Sequence, residues 1–129
     1  MRIKHINIAL GVRIFSALAD DSRIRLLNIV RNFGPVVSAD AELVLEFTQT
    51  KTSRHLSYLK NAGLLNSRKV ERWVLWTVPD EVADLADDLL RRLEKDPELI
   101  QDIRTYRIMF SNRELVAAGP AAKKWQTEK

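Results

Sequence analysis

Apolar residues recur every three or four positions along most of this chain, and the breaks in that rhythm mark its elements. Ile3, Ile6, Leu10, Ile14, Ala17 and Leu18 lay out one amphipathic helix. Asp20, Asp21 and Ser22 form a capping cluster, after which Ile24, Leu27 and Val30 run along the apolar face of a second helix. Asn32-Phe-Gly-Pro35 breaks it. Residues 38–47 predict a third, short helix, with Leu43, Leu45 and Phe47 available for packing. Thr48 then suits the cap of a fourth, because its hydroxyl can accept a bond from an orphan amide of the first turn. In that helix Thr52, Leu56, Leu59 and Gly63 form the packed stripe, and Gly63 also stops the helix. The opposite side carries Thr50, Ser53, Arg54, Ser57 and Asn61, with Gln49 near the start.

After Gly63 the composition turns to branched and aromatic residues, which suit strands. Residues 64–78 predict a two-stranded hairpin, whose second arm is Arg72-Trp-Val-Leu-Trp-Thr-Val78. Its tip lacks the Asn-Gly or Asp-Gly of a tight turn, so the pattern leaves the turn type open. A further helix starts around Pro79, with Asp80 and Glu81 at the positive end of its dipole. Its apolar residues Val82, Leu85, Ala86, Leu89, Leu90 and Leu93 exceed what one groove needs, which fits either dimerisation or plain core burial. Asp96-Pro97 ends or kinks that helix, and residues 98–110 predict another with Leu99, Ile100, Ile103, Tyr106 and Phe110 on one side. Gly119-Pro120 breaks the chain again before a tail carrying Trp125. The expected organisation is a domain at residues 1–96 and a helical extension and tail at 97–129.

The face left free on the fourth helix has a particular chemistry. Small hydroxyls, an amide and a guanidinium keep a backbone close to base edges while offering donors and acceptors, as a helix entering a major groove requires. An ordinary surface helix also shows polar residues, so the face alone decides little. The hairpin that follows adds Arg68, Lys69 and Arg72, placed to touch phosphate or the minor groove as the wing of a winged helix does; the same charges would also blunt a strand edge against aggregation. Charge distribution favours the first reading. Residues 48–76 hold six basic side chains against Glu71 alone, whereas residues 80–102 hold nine acids against three bases. The whole chain is only +4. A basic module beside an acidic helix directs one face to phosphate, with an affinity that falls steeply as salt rises.

The combination Leu18-Ala-Asp-Asp-Ser-Arg-Ile-Arg-Leu-Leu27, Thr48-Gln-Thr-Lys-Thr-Ser-Arg-His-Leu56, Leu59-Lys-Asn-Ala-Gly-Leu-Leu65 and Arg72-Trp-Val-Leu-Trp76 resembles the ArsR family of SmtB-like winged-helix repressors, over about residues 10 to 95. The resemblance implies a mainly α, winged helix-turn-helix fold with a small β-hairpin wing. It also implies a homodimer joined through the first and last helices on an inverted repeat of double-stranded DNA. By the family's motif, Gln49, Thr50, Ser53 and Arg54 face bases, while Lys51, Ser57, Lys60 and the wing residues Arg68, Lys69 and Arg72 face phosphates; Thr48 caps the reader at the same surface. His55 falls on the flank of the buried stripe, in a packing or phosphate-contacting role. Many relatives sense metals through a Glu-Leu-Cys-Val-Cys type sequence in the preceding helix. The equivalent stretch here is Val36-Val-Ser-Ala-Asp-Ala41, and the chain has no cysteine. A soft thiolate metal site and a thiol switch are therefore both excluded. A second family site uses His with Asp or Glu on the last helix; here Asp84, Asp87 and Asp88 have no His beside them and read as solvated charge.

With 46% hydrophobic and 29% charged residues the chain is globular. No apolar run is long enough to span a bilayer and no signal-peptide pattern opens the chain, so a cytoplasmic protein without a membrane role is expected. No Gly-rich phosphate loop, metal-binding His pair or Ser-His-Asp elbow is present, which argues against an enzyme; neither a cofactor nor a metal is expected. The expected function is a homodimeric repressor that occludes a promoter, with a small molecule or protein as its inducer. The alternatives are a winged helix used only to bind proteins and a ligand-responsive regulator of the multiple-antibiotic-resistance type.

Overall fold

The computed structural model describes residues 4–110, and Ile3, Gly119-Pro120 and Trp125 lie outside them. Asn7 caps the first helix, α1 (Ile8–Ala17), by accepting from the Leu10 amide at 2.8 Å. The helix thus begins later than the apolar rhythm from Ile3 suggests, because the Asn7 side chain satisfies an amide that an earlier start would have to leave orphaned. Asp20 does the same for α2 (Asp21–Phe33), accepting from the amides of Ser22 and Arg23. Leu26, Leu27, Ile29 and Val30 of this helix are all buried, so α2 runs through the centre of the core rather than across its surface. Gly34 ends it, and a side chain there would meet the Val30 carbonyl at 2.6 Å.

A strand that the sequence reading did not anticipate follows, β1 (Val36–Val37). Then come α3 (Ser38–Leu45), α4 (Gln49–Asn61), β2 (Asn66–Val70), β3 (Trp73–Thr77), α5 (Asp80–Arg91) and α6 (Pro97–Met109). The expected hairpin is therefore one part of a three-stranded antiparallel sheet of order β1-β3-β2. Val36 pairs with Trp76 and Val37 with Leu75, which places β3 at the centre. Two residues are too short a run for a period-two signal, so only the pairing reveals this strand.

Within α3 the buried side chains are Asp40, Ala41, Val44 and Leu45. Leu43, expected to pack, is 60% exposed. The helix stops at Leu45, because Glu46 takes a left-handed conformation (φ 57°) and turns the chain toward α4. Phe47 is half-buried against the core.

The boundary expected at residue 96 falls in the turn between α5 and α6. Asp96 caps α6 by accepting from the amides of Glu98 and Leu99. Leu99, Asp102 and Tyr106, at helical spacing, are the buried residues of α6. Tyr106 stacks on Phe33 with ring centroids 4.1 Å apart and joins the main core. Two bidentate ion pairs tie α5 and α6 to α2. Arg25 meets Asp102 at 2.9 and 3.0 Å, and Arg31 meets Asp87 at 2.6 and 2.8 Å. Asp87 is thus a structural partner and not the solvated charge that its position on an acidic helix suggested.

Candidate nucleic-acid interface

The α3–α4 pair forms the helix-turn-helix. Thr48 caps α4, accepting from the Lys51 amide at 3.1 Å. Thr52 is fully buried and satisfies its hydroxyl locally by donating to the Thr48 carbonyl at 2.9 Å. Leu56 and Leu59 are buried beside it. The apolar stripe then continues into Ala62, not Gly63 as the spacing suggested. Gly63 lies outside the helix at φ 85°, where a glycine is least strained. The Leu64 amide reaches back to the Leu59 carbonyl and the Gly63 amide to that of Lys60, a paired terminus that satisfies two otherwise orphaned acceptors.

This anchoring leaves Gln49, Thr50, Ser53, Arg54 and Ser57 exposed on one side of a rigid helix. Lys51 is half-buried, with its ammonium 4.0 Å from the centre of the Phe47 ring. Lys60 donates to the Ser67 hydroxyl at 2.8 Å and so joins the helix to β2. Its ammonium retains further donors for phosphate.

Val70 pairs with Trp73, so a two-residue turn, Glu71-Arg72, connects β2 and β3. Glu71 adopts φ 57°, the left-handed geometry that a tight hairpin turn demands at its first position. Arg68, Lys69 and Arg72 are all exposed. Strand alternation separates the first two. Lys69 shares the sheet face of Ser67, the face fastened to α4, whereas Arg68 lies across from Leu75 on the other face. Arg72 stacks its guanidinium 4.8 Å from the Trp73 ring.

Arg23, on α2 beneath α4, carries more than the sequence reading assigned. Arg23 donates to the Ala17 carbonyl at 2.6 Å and to that of Ser16 at 3.2 Å. It also packs 4.1 Å from the centre of the Tyr58 ring and approaches His55 Nδ1 at 3.3 Å. A guanidinium has no acceptor, so Nδ1 of His55 accepts and the proton resides on Nε2. His55 is only 6% exposed, which fits the packing role expected of it. Burial holds its pKa below the usual value, and the cations Arg54, Arg23 and Lys51 act in the same direction against the opposing pull of Asp20. The network fixes α4 against the end of α1 and the start of α2. Nothing in the local spacing marks Arg23, because its partners lie on two other helices, α1 and α4.

Among the described residues no three His, Asp or Glu side chains come together as a metal site, and no helix is long and apolar enough to cross a membrane. What the arrangement offers is a polar helix surface flanked by a basic hairpin.

Residues 20–67 match the family model described as bacterial regulatory protein, arsR family. The chain is 35% identical over 78 residues to the arsenic resistance transcriptional regulator ArsR1 of Pseudomonas putida, covering 60% of this chain and 61% of that protein. It is 31% identical over 86 residues to the arsenical resistance operon repressor of Escherichia coli, covering 64% of this chain and 74% of that one. Among solved structures, the homodimeric winged helix-turn-helix DNA-binding domain of a Mycobacterium bovis protein superposes with a TM-score of 0.62 at 21% identity. That likeness covers 70% of this chain and 84% of that domain and bears on the fold alone.

Proposed function

The chain belongs to the arsR family of bacterial regulatory proteins, and on that premise we propose that it is a cytoplasmic, homodimeric repressor that occludes a promoter at an inverted-repeat operator. In this reading Gln49, Thr50, Ser53 and Arg54 read base edges. Thr48 positions the helix end, and Lys51, Ser57, Lys60, Lys69 and Arg72 hold phosphates. Arg68, on the other sheet face, supplies a more distant phosphate contact. The observation that carries the proposal is the pairing of an exposed reading surface with its rigid mounting. Leu56 and Leu59 bury one side of α4, the Lys60–Ser67 bond fixes the wing to it, and the remaining side offers bidentate base donors and acceptors.

The proposed dimer face lies on α1 and α5. Ile8, Val12 and Phe15 of α1 are 87%, 59% and 59% exposed at helical spacing. Phe15 and Leu18 border a shallow apolar hollow completed by Ile24, Leu89 and Leu93. Exposed apolar residues grouped in this way mark an interaction surface. Two copies joined there would set two readers about 34 Å apart, one helical turn of duplex. Release then requires a ligand or partner that favours a different spacing of the two readers. With no cysteine, that signal is not read by thiolates.

Arg54→Glu tests the reading. It should abolish duplex binding in a mobility-shift titration while leaving the dimer intact by sedimentation. Unchanged binding would place the reader elsewhere.

A further inference from the structure

α6 closes a cleft of about 670 Å³ against α2 and α5, a volume within the usual range for small-molecule sites. Its lining is of two chemical kinds. Leu90, Leu99, Ile100 and Ile103 supply apolar surface, while Arg31, Arg91, Arg104 and Arg107 place four guanidiniums around it against the carboxylates of Asp87 and Glu94. Asp87 is already consumed by Arg31, and Arg91 has an exposed contact to Asp88 at 3.4 Å. Among the described residues neither Arg104 nor Arg107 forms an ion pair, and the Arg107 guanidinium lies 5.9 Å from the centre of the Phe33 ring. Exposed guanidiniums without carboxylate partners, beside an apolar wall, match an anion attached to an apolar body.

We propose that this cleft binds a small amphipathic anion, a carboxylate, sulfonate or phosphate with an apolar body, whose charge pairs with Arg104 and Arg107. The apolar part lies along Leu90, Ile100 and Ile103. The site deepens the proposed function and rests on it for its regulatory meaning. The same helix that lines the cleft through Asp87 and Leu90 turns Leu89 toward the proposed dimer face. An anion seated beside Arg31 also competes with Asp87 for that guanidinium, which weakens the link between α5 and α2. Occupancy would thus shift the position of α5, and with it the spacing of the two readers.

The test uses the full chain and the fluorescent anion 1-anilinonaphthalene-8-sulfonate as probe. Saturable binding of one probe per chain is expected. Octanoate should displace it, and octylammonium, of equal length and opposite charge, should not. The double variant Arg104→Ala with Arg107→Ala should bind at least tenfold more weakly, with unchanged near-ultraviolet circular dichroism. Absence of saturable binding, equal displacement by octylammonium, or an undiminished affinity in the folded double variant would overturn the proposal. Operator binding by the same double variant, measured separately without any anion, keeps the two readings apart. In the wild-type chain, duplex binding without saturable probe binding sinks the cleft alone, whereas absence of duplex binding without any anion sinks the repressor reading.

Discussion

Asp102→Asn should detach α6 from the core at a measurable cost. Asp102 receives both Nε and Nη2 of Arg25, and the two side chains are 5% and 20% exposed. The amide is nearly isosteric, so no cavity opens and the change isolates the charge. Breaking a buried pair on one side usually costs about 3–5 kcal/mol, because a desolvated charge remains behind. Arg25 here keeps a fifth of its surface in water and retains Glu98 at 3.7 Å as a partial substitute, so about 2 kcal/mol is expected. In a chain of this size that lowers Tm by roughly 6–10 °C at fixed protein concentration. Urea unfolding at neutral pH gives the free energy directly. The double change Arg25→Leu with Asp102→Leu should recover much of the loss, since two apolar groups leave no charge unpaired. A loss under about 0.5 kcal/mol in Asp102→Asn, or a double variant no better than the single one, would refute the view that this pair fastens the extension to α2.

Val12→Asp, which places a carboxylate in the exposed apolar row of α1, should convert the proposed dimer to monomer in sedimentation velocity and sharply weaken binding to a two-half-site duplex. Glu71→Gly relieves a left-handed side chain at the wing turn and should stabilise the fold by about 0.5–1 kcal/mol in urea. By removing the one acid among residues 48–76, it should also strengthen duplex binding at low salt. Because His55 has a depressed pKa in the folded protein, the unfolded chain takes up its proton first as pH falls through about 6.5. The stability that His55 contributes is therefore complete above that value and lost as pH falls below it; His55→Gln should flatten the unfolding free energy between pH 7 and pH 5.5.

The helices were legible where one side chain both caps and begins an apolar rhythm. Asp20 and Thr48 each accept amides at the helix starts that their positions imply, whereas Asp96, read only as the end of the preceding helix, also caps α6. The exposed polar side of α4 was legible for the same reason, since Leu56 and Leu59 fix which side faces out. What stayed hidden depends on partners distant in sequence. Strand β1 exists because Trp76 and Leu75 pair with Val36 and Val37, and a run of two valines announces nothing by itself. Leu43 was misplaced because three apolar residues in a short helix do not define which face is buried; Ala41 and Val44 take the core instead. Asp87 looked like surface charge and Arg23 was not singled out, and only the packing of α2 against its neighbours gives them their roles.

Selection from a random duplex library with the purified chain, at near-physiological salt, tests the central claim most directly. The account predicts enrichment of an inverted repeat whose half-sites are centred one helical turn apart, and loss of that enrichment with Arg54→Glu. Retention of duplexes without an enriched motif, or no retention at all, would contradict a sequence-specific dimeric repressor.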